Sequence, residues 1–110
     1  MVSKINFADR LIAEIEKKKN PSVVGLDTSF AKLPECIKKN FQGSYDLAFE
    51  SAAQAVYEFN KKIIDAIHDV VPCVKIQAAY YEELGGFGME VFKKTSDYAK
   101  TRGLVVIADA

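Results

Sequence analysis

Between residues 7 and 19, apolar side chains recur at steps of three and four: Phe7, Leu11, Ile12 and Ile15. That spacing lines one face of a helix, so a helix is predicted over residues 6–19, capped by Asn6 and stopped at Asn20-Pro21. The pattern then changes. SVVGLD is short, apolar and β-branched, which predicts a buried strand ending at Asp27. Residues 28–43 contain Pro34 and Gly43 and keep no period, which predicts a long loop with one helical turn. From Ser44 onward Phe49, Ala52, Ala53, Val56, Asn60, Ile63, Ile67 and Val70 trace one face of a helix of about 25 residues, with Ser44 or Asp46 as its cap. Pro72 ends it. CVKIQ predicts a second strand, and AAYYEELGGFG a connection whose glycines, Gly85 to Gly88, read as flexible. A third helix is expected from Met89 to Arg102, carrying Val91, Phe92, Tyr98 and Ala99, with Gly103 in the left-handed position that terminates it. LVVIAD follows as the third strand.

Helices thus alternate with near-continuous apolar strands. Strands of that kind are buried on both faces, as when crossover helices cover a parallel sheet, so the fold class is α/β. Right-handed crossovers fit either an open doubly wound sheet or the start of a parallel (β/α)8 TIM barrel. Three strands alone leave two exposed edges. The expectation is that residues 1–110 form the amino-terminal segment of one incomplete barrel domain.

Composition narrows the function classes. Apolar residues make up 49% and charged residues 27%, with a formal net charge of zero. A balanced charge gives no broad electrostatic surface for nucleic acid or anionic lipid. No run approaches the ~20 apolar residues of a membrane span, and the first residues lack an apolar signal core, so the expectation is a cytoplasmic protein. Cys36 and Cys73 show no CxxC spacing, which leaves them as reduced thiols.

The candidate chemistry lies at the strand ends, where α/β proteins place their ligands. Asp27, Lys75 and Asp109 all sit there. Alternation puts Asp27 with Gly25 and Val23, Lys75 with Cys73 and Gln77, and Asp109 with Ile107 and Val105, so three charges share a face if those faces point inward. Lys75 decides the matter, because a lysine between Val74 and Ile76 in a buried strand needs a partner. The plainer reading keeps both acids as turn caps and lets Lys75 reach solvent. His68, the single histidine, sits near a helix end that favours a cation, and has no acid-base partner. Tyr80, Tyr81 and Glu82 either line the mouth or pack. Asn60 either hydrogen-bonds strand ends or faces solvent. The GGFG stretch matches neither the dinucleotide fingerprint nor the phosphate loop.

With VVGLD, FNKKIIDA, CVKIQAAYYEELG and LVVIADA in place, the chain resembles the amino-terminal part of the orotidine 5'-phosphate decarboxylase family, in its longer bacterial branch. The resemblance implies a phosphate-binding (β/α)8 barrel, of which this chain covers a preliminary helix and three strands. It implies conversion of orotidine 5'-monophosphate to uridine 5'-monophosphate and carbon dioxide, without metal or organic cofactor, in a homodimer. Asp27 and Lys75 match residues that hydrogen-bond the ribose hydroxyls; Lys75 also holds the acids in a charge network. Asp109 matches the first acid of the strand-three signature Asp-x-Lys-x-x-Asp, beside the departing carboxylate. Ala110 matches the variable residue, so a longer parent chain is expected to continue with the proton-donating lysine and a second acid.

Two alternatives stay open on the residues. A magnesium-dependent sugar-phosphate barrel, such as a hexulose-phosphate synthase, would use related strand-end residues and require metal. A non-catalytic open-sheet α/β binding module would be a stable monomer built from these residues alone.

Overall fold

The computed structural model describes residues 7–29, 32–38 and 48–109. Helix α1 spans Phe7–Lys18, as its three-and-four spacing requires. It stops where Lys19 takes a positive φ of 53°. The Asn20 side chain then accepts a hydrogen bond from the Ser22 N–H (2.9 Å) and donates to the Val70 carbonyl (3.1 Å). The Asn6, Ser44 and Asp46 caps expected from sequence lie outside the described residues.

Strand β1 is Val23–Gly25, and α2 is a short helix at Glu35–Lys38 in the predicted loop. Helix α3 runs Ala48–Ile67. Val70, expected on its buried face, lies in the turn beyond it and is 54% exposed. Strand β2 is Cys73–Gln77. The connection after it is helical rather than flexible: α4 covers Ala78–Glu82 and α5 covers Gly85–Thr101, starting four residues before the expected Met89. Gly103, at φ 84°, terminates α5 as predicted. Strand β3 is Val105–Asp109.

The three strands are parallel in the order β1-β2-β3. Val24, Leu26, Val74, Ile76, Leu104 and Val106 face the helix layer, where Val56 and Ile64 of α3 and Val91 and Ala99 of α5 complete the core. Burial on both faces does not hold over the described residues. The opposite face carries Val23 (46% exposed), an exposed Gly25 and half-buried Lys75, Gln77 and Ile107. Three strands do not curl far enough to cover their own inner face; closure takes about eight. Cys73 and Val105, at the amino ends of β2 and β3, are buried even so.

Helix α1 packs against β3 and is fastened by Lys18. The Lys18 ammonium donates to the carbonyls of His68 (2.7 Å) and Val71 (2.9 Å) and pairs with Glu14 (3.2 Å). Carbonyls left over at a helix end attract a cation, which gives this half-buried contact its strength. Among the described residues, no helix is long and apolar enough to cross a membrane.

Candidate active site at the strand ends

Lys75 lies between Val74 and Ile76, both fully buried toward the helices, so the pleat turns its side chain to the open face. The register sets Gly25, Lys75 and Ile107 in one row and Gln77 opposite Asp109 in the next. Asp27 lies two residues past the end of β1. The ladder nevertheless reaches toward it, because the Leu26 N–H donates to the Lys75 carbonyl at 2.8 Å.

The carboxylate of Asp27 folds back over Gly25: a Cβ placed on Gly25 would lie 3.4 Å from Asp27 Oδ2. Gly25 is the register partner of Lys75, and adjacent strands are about 4.8 Å apart. A glycine in this row leaves room for the acid on the strand beside the lysine. Asp109 sits at the far end of β3, exposed on the same parity. Among the described residues no ion pair within 4.0 Å involves Asp27, Lys75 or Asp109. The sequence argument required a partner for a buried lysine. Lys75 is half-buried on an open face, so water meets part of that need.

Behind Asp27 lies a closed polar network. Asn60 of α3 is fully buried. Its carbonyl oxygen accepts from the Thr28 hydroxyl (2.6 Å), and its amide donates to the Tyr81 hydroxyl (2.9 Å) and Thr95 Oγ1 (3.2 Å). Tyr81 in turn donates to the Leu26 carbonyl at 2.6 Å. Both residues flanking Asp27 are therefore gripped from the core, while Asp27 itself is exposed. Burial pushes the Tyr81 phenol above its usual range; the Asn60 and Thr28 side chains oppose that shift, and the Asp27 charge adds to it. The phenol stays protonated, as its donation to Leu26 demands.

The aromatic pair thus divides. Tyr81 is core, edge-on to Phe92 with ring centres 5.5 Å apart. Tyr80, 38% exposed, borders an open groove of about 270 Å³ with Gln77 and Glu83 past the end of β2. A second hollow of about 320 Å³ runs from Asp27 and Thr28 to Phe59 and Ile63 along the free flank of β1. His68 lies away from the strand ends, its Nε2 3.0 Å from Arg102 Nη2. Among the described residues no three His, Cys, Asp or Glu side chains gather as a metal-binding group.

Sequence reasoning left Asn60 undecided and did not single out Thr28 or Thr95. The signal was present: Asn60 interrupts the apolar face of α3, and Thr95 falls between Val91 and Ala99 on the buried stripe of α5.

No family model matches the chain. Over 101 residues it is 43% identical to the orotidine 5'-phosphate decarboxylase of Clostridium novyi (strain NT), covering 92% of this chain and 32% of that one. The chain resembles the amino-terminal part of orotidine 5'-phosphate decarboxylase. The decarboxylase of Caldicellulosiruptor saccharolyticus is 39% identical over 105 residues, covering 96% of this chain and 34% of its own. That of Clostridium perfringens (strain SM101) is 42% identical over 103 residues, covering 94% and 33%. A crystal structure from Streptomyces avermitilis, provisionally assigned as an orotidine 5'-phosphate decarboxylase, superposes with a TM-score of 0.72 at 25% identity, over 99% of this chain and 34% of that one. The chain spans about a third of the length of these decarboxylases. That likeness decides between the two architectures: β1, β2 and β3 are strands of a (β/α)8 barrel, and the open face is the one that turns toward the barrel axis.

Proposed function

We propose that residues 1–110 are the amino-terminal segment of a single barrel domain that decarboxylates orotidine 5'-monophosphate to uridine 5'-monophosphate. The observation that carries this reading is the likeness to named decarboxylases over more than nine-tenths of the chain. The shared open face of Asp27, Lys75 and Asp109 supports it. Asp27 and Lys75 are the ribose-binding pair, and Asp109 stands beside the carboxylate that departs. As the C6–carboxylate bond breaks, carbon dioxide leaves and its electron pair stays on C6, where a proton replaces it. A fixed acid against the substrate carboxylate disfavours the ground state, and nearby ammonium groups favour the developing carbanion. The reading calls for no metal or organic cofactor. It describes a cytoplasmic homodimer acting on a small nucleotide, with neither nucleic acid nor membrane as partner.

The test uses the full-length protein that carries these residues. Decarboxylation followed by ultraviolet absorbance should survive a chelator. Asp109→Ala should lower turnover by about 10²–10³-fold, the usual loss for one preorganised electrostatic group, with circular dichroism unchanged. Asp27→Ala and Lys75→Ala should weaken binding of uridine 5'-monophosphate. Turnover of the Asp109 variant within about threefold of the parent would reduce Asp109 to a strand-end acid, well short of the expected electrostatic loss.

A further inference from the structure

The Asn60 network meets the chain on both sides of Asp27 and nowhere touches Asp27 itself. Leu26 is held twice, its N–H by the Lys75 carbonyl and its carbonyl by the Tyr81 hydroxyl. Thr28 is held through its side chain by Asn60. A residue clamped at i−1 and i+1 has little freedom in its own backbone, and Asp27 is the exposed residue between two buried ones. Asn60 uses its carbonyl oxygen and both amide hydrogens on Thr28, Tyr81 and Thr95. Among the described residues no buried side-chain polar atom lacks a partner. A closed set of buried bonds admits one arrangement, because losing any member strands another in the core.

We infer that Asn60, Tyr81, Thr28 and Thr95 form a positioning network that fixes the Asp27 carboxylate over Gly25, beside Lys75, and so tunes ribose binding. This rests on the reading of Asp27 as a substrate-binding acid. These four are positioning residues, since each acts through the backbone on either side of Asp27. Thr95 braces Asn60 from α5, and Tyr81 carries the restraint from α4. The network therefore ties the helix layer to the open face, and a loosened helix layer would be felt at the ligand.

The test pairs Tyr81→Phe with Thr28→Val in the full-length protein. Each deletes one hydroxyl while keeping nearly the same volume, and Thr28→Ser restores the hydroxyl. The expected result is a rise of about ten- to a hundredfold in KM and in the dissociation constant for uridine 5'-monophosphate, the scale of loss from a misplaced binding group. kcat should change far less, and Thr28→Ser should return both constants toward the parent. A role confined to stability would lower the melting temperature of Tyr81→Phe and Thr28→Val and leave KM alone, which would overturn the inference. Hydrogen exchange supplies a readout independent of activity. Amides of residues 26–28 should exchange faster in Tyr81→Phe and Thr28→Val than the rest of β1 and β2; uniform acceleration would equally overturn it. A full-length parent without decarboxylase activity would defeat the functional reading, while the exchange pattern would still decide whether the network restrains Asp27.

Discussion

Tyr81 holds a proton that it donates to the Leu26 carbonyl, while its oxygen accepts from the Asn60 amide. Its phenol is shifted upward chiefly by burial. Tyr98, bonded to Asp65 at 2.5 Å, is shifted upward mainly by that bond, but it lies at the surface and adds little to stability. In the unfolded chain a tyrosine titrates near its ordinary value of 10.0. A folded-state value above that makes the stabilisation complete below about pH 10 and lost as pH rises through the folded value. The difference in urea midpoint between the full-length protein and Tyr81→Phe should therefore hold steady through neutral pH and shrink above about pH 10. Absorbance at 295 nm provides the check: Tyr81 ionising at its ordinary value in the folded protein would refute the assignment. At this scale the charged candidates were legible, because an acid or a lysine at a strand end stands out from its surroundings. Asn60 showed only as a polar residue on an apolar face. Thr28 and Thr95 did not show, since threonine is common in both strands and helices and only tertiary contact reveals its partner.

The join between α4 and α5 rests on one missing side chain. A Cβ on Gly88 would come within 1.8 Å of the Tyr81 carbonyl oxygen and 2.9 Å of Leu84 Cβ, so no larger residue fits unless a helix moves. Gly88→Ala should destabilise the protein by about 1–3 kcal/mol or more, the usual cost of overpacking, and should disturb Tyr81 with it. Gly86→Ala is the control: nothing lies within 4 Å of its Cβ position, and alanine in a helix should be neutral or stabilising by up to about 1 kcal/mol. Urea denaturation of both variants decides this, and equal stabilities would show that α5 yields without cost. The same glycines explain why the sequence read GGFG as a flexible connection. Glycine has poor helix propensity, and packing against α4 overrode it. The longer elements α1, α3 and β2 were legible, because sustained apolar periods are set by the core they face. β1 proved shorter than SVVGLD suggested: the Leu26 N–H still donates to the Lys75 carbonyl, but the Leu26 carbonyl is taken by the Tyr81 hydroxyl.

Across the whole molecule, α/β class and parallel order were readable from alternating patterns, whereas barrel and open sheet give the same three strands. The distinguishing feature, a face without cover, belongs to tertiary structure. Among the described residues β1 and β3 are edge strands, and Val23 is exposed on the open face. Expressed alone, residues 1–110 should associate through those edges and bind hydrophobic dyes. Light scattering across a concentration series measures this, and a monodisperse monomer at all concentrations would show that these edges do not drive association. The Asn60 network has a consequence in time as well as in space. Its bonds join residues 21 to 55 positions apart in sequence, drawn from the β1 end, α3, α4 and α5. Contacts of such separation form only after the entropy of closing the intervening loops has been met, so they come late on the folding path. Order around Asp27 then reports the completion of folding: a newly made chain should acquire its helices first and a fixed Asp27 backbone last.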